Sequence, residues 1–306
     1  MSALSGHVED YLRLRRALGY KLERAGLMLP KLVAYLEAAG SPTLTAELAV
    51  SWARLPAHAR PNHWAARLAV ARGFARYLQT IEPATEVPPA GVFPSRRHRP
   101  APYLWSQQDI GRLLVGARAL PSPLRAATYE ALFGLLAVSG MRVGEAVGLD
   151  RDDVDFHAGV ITIRHAKFDR TRLVPLHDTT TAALRAYATE RDRRCPGPAS
   201  AAFFVSSAGT RLDRSSVAKT LRRITTAMGL RTDAVHPTAH QLRHSFAVRT
   251  LIDWHRSGVR IDDEIATLSV YLGHVSPADT YWYLSASPDL MWLAADRLDA
   301  RFGAGR

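Results

Sequence analysis

Apolar residues recur at helical spacing through the first quarter of the chain and then stop abruptly. Residues 7–17, 24–39, 45–55 and 62–81 each read as a helix; the second carries Pro30 and stops at Gly40, and the third opens on Thr45 as an N-cap. In the fourth, Val70, Phe74, Tyr77 and Ile81 recur at spacings of 4, 3 and 4, which predicts a buried stripe, with Arg72 and Arg76 on another face. The stretch from Glu82 to Tyr103, EPATEVPPAGVFPSRRHRPAPY, has six prolines and no periodicity, so residues 83–102 are expected to be a linker.

Beyond it the pattern is mixed. Residues 106–119 begin with Ser106 and Asp109 three apart, a capping-box-like start. Residues 124–138 are strongly apolar and predict a buried helix. Short β-rich runs at 153–156, 160–165 and 171–175, parted by turns at 157–159 and 166–170, predict a three-stranded antiparallel sheet. Helical patterns resume at 179–193, 213–228, 238–255, 261–271 and 288–301. The expected fold class is mainly α with a small antiparallel β-sheet (α+β), in two domains: a helical one over 1–82 and a larger one over 103–306.

Composition narrows the function. In 306 residues no apolar run approaches 18, which argues against a membrane span, and the first twenty residues lack the basic start and apolar block of a secretory signal. A single cysteine, Cys195, excludes an internal disulfide framework and a Cys-rich zinc module, and fits a reducing cytoplasm. The net charge of +12 points to a polyanion, although codon bias toward arginine would give the same excess. Residues 1–82 carry eleven cations against six anions and 103–306 twenty-six against twenty-one, so the excess per residue is greatest in the first third. Arg67, Arg72 and Arg76, with Arg96 and Arg97 in the linker, are the candidate DNA-binding residues. Of the forty cations only four are lysines.

Five segments downstream could carry chemistry. In Ser139-Gly-Met-Arg-Val-Gly-Glu, Arg142 follows an apolar helix and a glycine, where its fork could reach a phosphate, and Glu145 could hold a neighbouring backbone group or cation. Lys167 lies on the turn between two strands, with Arg164, Arg170 and Arg172 as cationic neighbours, and an ammonium can donate a proton where a guanidinium cannot. His240 and Arg243 share one face of a helix's first turn, which favours an anion. His240 and His244 are also spaced as a metal pair, but Gln241 stands where a zincin has glutamate. Tyr271-Leu-Gly-His274 ends a helix, and Asp279-Thr-Tyr-Trp-Tyr283 offers two nucleophiles, Tyr281 and Tyr283.

In this order the segments resemble the tyrosine recombinase (phage integrase-like) family, from about Ser106 to the end. That family has G-x-R-x-x-E, a hairpin lysine, H-x-x-R, L-G-H and a tyrosine nine residues after that histidine. Arg142 with Glu145, Lys167, His240 with Arg243, His274 and Tyr283 fill those places. The resemblance implies a helical DNA core-binding domain before a catalytic domain, and site-specific strand exchange through a 3′-phosphotyrosine without metal, ATP or cofactor. Arg142 and Arg243 would hold the phosphate, Tyr283 attack it, Lys167 protonate the leaving 5′-oxygen, His240 act as base and His274 hydrogen-bond the phosphate. It also implies double-stranded DNA as partner, a tetramer on two DNA sites, and work on nucleoid DNA in a bacterial cytoplasm. The C-terminal segment Leu290-Met-Trp-Leu-Ala294 could dock on a neighbouring subunit or pack on its own domain. Other readings are a type IB topoisomerase-like enzyme, a metal nuclease built on Asp150, Asp152, Asp153 and Asp155, and a non-catalytic DNA-binding regulator.

Overall fold

The structure is a computed structural model that describes residues 2–94, 102–164, 171–197, 200–274, 276, 278–285 and 290–293. The chain divides into two compact units, Met1–Arg99 and Pro100–Arg306. Lys167, Arg96 and Arg97 lie outside the described residues, as does most of the helix expected over 288–301, of which 290–293 are helical.

The first unit packs α1 (Ala3–Ala17), α2 (Glu23–Ala38), α3 (Ala46–Arg54) and α4 (Pro61–Leu78) around Leu29, Leu32, Leu36, Trp52 and Phe74. Caps explain their starts: the Ser2 and Thr45 side chains accept the backbone N–H of Ser5 and Leu48, and Pro61 opens α4, where its missing N–H costs nothing. Helix α2 runs through Pro30, as expected. The buried face of α4 differs from the predicted stripe. It is Arg67, Leu68, Ala71, Phe74, Ala75 and Leu78, because the helix ends at Leu78 and leaves Ile81 exposed.

Residues 83–94 are not a free linker. Glu86 donates its N–H to the Leu44 carbonyl and accepts the Ala46 N–H on its carboxylate, so it caps α3. Phe93 is buried beside Trp64, with ring centroids 5.8 Å apart. Arg72 donates Nε to the Pro88 carbonyl (2.9 Å) and Nη2 to that of Pro89 (2.8 Å). Prolines block regular structure, yet their carbonyls still accept hydrogen bonds, and this segment uses them to lie down on the helices.

The second unit is built on α6 (Pro123–Ser139), which packs against α5 (Gln107–Arg118), α8 (Asp178–Arg194) and α10 (Ala239–Arg256). Ser106 both accepts the Asp109 N–H and donates to its carboxylate, as the start of α5 predicts. Between them come α7 (Val143–Gly148), a 3-10 turn, and a sheet ordered β1 (Val154–Asp155), β2 (Val160–Ile163), β3 (Arg172–Pro175), antiparallel throughout. The expected topology holds with shorter strands, and Ile163 pairs with Arg172 at the open end. Helices α9 (Arg214–Ala227), α11 (Ile261–Leu272) and α12 (Ala278–Ser285) complete the unit. The short helices α7 and α12 were not expected.

Two of the apolar clusters among the described residues organise this unit. The larger includes Leu132, Phe133, Leu136, Ile161, Phe203 and Leu242; the smaller gathers Val248, Leu251, Leu268, Leu272, Tyr283 and Leu290. Helix α10 contributes to both. No helix among the described residues is long and apolar enough to cross a membrane.

Candidate active site

Helix ends shape the site. Helix α6 stops at Gly140 in the left-handed region (φ +59°), where a side chain would sit 2.5 Å from the Phe246 ring. Only glycine fits there, and the turn leaves the Gly140 carbonyl pointing at α10. Helix α11 stops likewise at Gly273 (φ +65°), whose missing side chain admits Arg172 Nη1, 2.7 Å from where a Cβ would lie. The glycines of the S-G-M-R and L-G-H motifs therefore bring charged groups against bare backbone.

Those carbonyls seat the arginines. Arg243, 1% exposed, donates Nη1 to the Gly140 carbonyl (2.8 Å) and Nη2 to that of Leu272 (2.6 Å). Arg142 donates Nη2 to the Gly273 carbonyl (2.9 Å) and Nη1 to Glu145 (2.7 Å). Arg142 is also the N-cap of α7, its backbone N–H donated to Glu145 Oε2 (2.8 Å). Glu145 thus holds both a backbone group and a cation. Burial alone would push its carboxyl up, but hydrogen bonds and charge from Arg172, then Arg142, outweigh that and bring it down to about 2. Burial, then the Arg142 charge, pushes Arg243 down to about 10, which still leaves it cationic at neutral pH.

The tyrosine faces these cations. Helix α12 buries Tyr283 (2% exposed) while Tyr281, two residues away, is 48% exposed. Burial pushes the Tyr283 hydroxyl up, and the neighbouring Arg243, followed by Arg142, pulls the other way. Its ring lies 5.9 Å from that of His274 at 24° and 5.3 Å from that of His244. His274 shares a 2.6 Å hydrogen bond between Nδ1 and Thr280 Oγ1, which ties the L-G-H turn to α12 and leaves Nε2 for other partners. His240, in the first turn of α10, stacks edge-on against His244 with centroids 4.6 Å apart. Burial, then Arg243 and Arg142, lowers both His240 and His274, the latter to about 4, so both rings are neutral at pH 7.

Of the predicted site residues, the structure brings together Arg142, His240, Arg243, His274 and Tyr283. Two further residues join them that the sequence reading gave no place beside Tyr283 or Glu145. His244, one turn past His240, is the α10 ring that touches Tyr283. Arg172, noticed only as a neighbour of Lys167, places both terminal nitrogens on Glu145 (3.0 and 2.8 Å). Gln241, which stands in a zincin's glutamate position, accepts the Thr238 N–H and caps α10. Among the described residues no three His, Cys, Asp or Glu groups gather to hold a metal ion. Three of the four acids of the nuclease reading are engaged elsewhere: Asp150 pairs with Arg211, Asp153 caps the Asp150 N–H and pairs with Arg164, and Asp155 accepts the His157 and Ala158 N–H groups.

Two of the candidate DNA contacts are engaged within the first unit. Arg67 is buried, donates to the Trp52 carbonyl (2.7 Å) and lies 3.9 Å over the Trp52 ring; Arg72 is spent on the proline carbonyls. Arg76 is exposed. Arg67→Ala is therefore expected to cost about 2 kcal/mol in thermal or denaturant unfolding, since a carbonyl loses its charged donor and a ring its cation. Arg76→Ala should leave unfolding unchanged. Equal melting of the two variants would refute this assignment.

A tyrosine oxygen beside cations seated on helix-end carbonyls, with the His274 and His244 rings packed on it, defines a class of site suited to attack on a phosphodiester. Comparisons with known proteins agree. Residues 106–289 match the phage integrase family. The chain is 44% identical over 310 residues to the putative integrase/recombinase y4rB of Sinorhizobium fredii, covering 99% of each. It is 35% identical over 242 residues to tyrosine recombinase XerD of Mycobacterium tuberculosis, covering 77% of this chain and 69% of that one. Among solved structures, the Tn1549 transposon integrase in complex with a circular intermediate DNA aligns over 95% of this chain and 99% of that one, with TM-score 0.65 and 16% identity, a likeness of fold. The chain belongs to the phage integrase family, the tyrosine recombinases.

Proposed function

We propose that this chain is a site-specific DNA recombinase, of integrase or transposase type, that cuts and rejoins strands through a covalent 3′-phosphotyrosine. The observation that carries the reading is the buried Tyr283 hydroxyl held beside Arg243, with Arg142 completing a cationic pocket. Charge on the phosphate's non-bridging oxygens grows in the pentavalent transition state, and fixed guanidiniums aimed at them lower the barrier. Tyr283 Oη attacks phosphorus, a P–O bond to tyrosine forms, and the bond to the 5′-oxygen breaks. The leaving 5′-oxygen takes a proton from Lys167. The tyrosine stays protonated until it attacks, so it needs an acceptor, and the neutral His240 fills that role. His274 hydrogen-bonds the phosphate through Nε2. The phosphotyrosine keeps the bond energy, so a 5′-hydroxyl from a partner strand reverses the step without ATP, metal or cofactor. Double-stranded DNA is the substrate, and four subunits bring two duplexes together, on the DNA of a bacterial cytoplasm.

Trapping tests it. On a nicked duplex whose short fragment bearing the new 5′-hydroxyl diffuses away after cleavage, the protein is expected to accumulate as a covalent adduct in the presence of a chelator. Binding without any adduct would leave the regulator reading; rejoining confined to the original strand would leave the topoisomerase-like one.

The lowered histidines also set a pH dependence. His274 has an ordinary value of 6.5 and sits at about 4 when folded, so the unfolded chain takes up its proton first. Its contribution to stability is whole above pH 6.5 and is lost as the pH falls toward 4. The melting temperature should fall across that window, and His274→Asn should flatten the slope. An unchanged slope would place the titrating group elsewhere.

A further inference from the structure

We infer that Arg172 is a positioning residue that neutralises Glu145 and so leaves the charge of Arg142 free for the scissile phosphate. The argument is one of charge accounting in a small volume. Glu145, with a side chain 10% exposed, lies between two arginines. Arg172 gives each carboxylate oxygen one hydrogen bond, at 3.0 and 2.8 Å, the bidentate geometry that satisfies a carboxylate most fully. Arg142 gives one side-chain hydrogen bond to the same group and turns another nitrogen to the Gly273 carbonyl. Two cations and one anion leave a net charge of +1. Exposure decides which cation carries it outward: the Arg142 side chain is 32% exposed and that of Arg172 only 12%.

Without Arg172, the buried carboxylate would turn to Arg142 as its counter-ion. The cation would remain in place but most of its field would be cancelled before a phosphate arrived. Gly273 makes the arrangement possible, since any side chain there would displace the Arg172 guanidinium, 2.7 Å from the Cβ position. The arrangement also separates two jobs that one arginine could not do together. Arg172 satisfies the carboxylate that caps α7, and Arg142 stays available to a ligand.

This inference rests on Arg142 contacting the phosphate, and the test keeps the two apart. Single-turnover adduct formation on the nicked duplex is compared for wild type, Arg142→Ala, Arg172→Met, Arg172→Lys, Glu145→Gln and Arg172→Met with Glu145→Gln. The methionine keeps the apolar stem, and Arg172→Gln serves the same comparison if it folds poorly, with thermal melts reporting folding throughout. Arg172→Met is expected to cleave about 100-fold more slowly than wild type, the scale of losing one transition-state donor. Removing the carboxylate as well should restore cleavage by about 10-fold or more, because Arg142 no longer has a carboxylate to satisfy. Arg172→Lys should fall between wild type and Arg172→Met. A purely structural role for Arg172 gives the opposite sign, since a second buried change would deepen the defect. A double variant no faster than Arg172→Met, or an Arg172→Met enzyme within about 3-fold of wild type, overturns the inference. Should Arg142→Ala itself cleave like wild type, the phosphate assignment fails first and takes the inference with it.

Discussion

Tyr283→Phe is expected to bind the nicked duplex as tightly as wild type and to trap no covalent adduct, a loss of roughly 10⁴-fold or more, as when other covalent nucleophiles are removed. The substitution deletes one oxygen from a ring that is otherwise buried and packed on His274 and His244. Folding should change little, because the ring and its packing remain. Tyr281→Phe is the control. It alters an exposed ring and should trap adduct at close to the wild-type rate. A Tyr283→Phe enzyme that still traps adduct would transfer the role to Tyr281 and would mean that α12 presents its other face to DNA.

The second large effect concerns Arg243. Arg243→Ala should lower single-turnover cleavage by about 10³-fold, the upper range for deleting one preorganised donor. It should also destabilise the chain by about 2–5 kcal/mol, since the Gly140 and Leu272 carbonyls would both be left buried without a charged donor. These effects separate in Arg243→Lys. One ammonium keeps a charge in the pocket but cannot reach two carbonyls and a phosphate together. Its unfolding midpoint should recover more than its cleavage rate. A lysine variant as active as wild type would mean that charge alone suffices and that the fork geometry is incidental.

Much of this was legible along the chain, and the failures have physical causes. The long helices announced themselves by period and caps, and the G-x-R-x-x-E and L-G-H motifs marked two helix ends. Helices α7 and α12 have six and eight residues, too few turns for periodicity to declare itself. Arg172 was hidden among Arg164, Arg170 and Arg172, because spacing does not tell which arginine of a hairpin faces inward. Strand alternation held the signal: Arg172 shares a face with the buried Val174, while the apolar Leu173 points outward and is exposed. Arg67 was misjudged for a similar reason. It stands four before Ala71 and seven before Phe74, on the buried stripe, but a charged residue was taken as facing solvent or DNA. Its long stem and the Trp52 ring make that burial affordable.

The two larger apolar clusters of the second unit divide the site between them. Arg142 and Glu145 belong to segments anchored in the larger cluster, while Tyr283 stands in the smaller one with Leu272 and Leu290. Arg243 sits on α10 between residues of each. In the proposed reaction the segments that would hold the phosphate and the tyrosine that would attack it start from different clusters, yet Arg142 and Arg243 are seated on the Gly273 and Leu272 carbonyls at the end of α11. A push on the smaller cluster would therefore reach grip and nucleophile together.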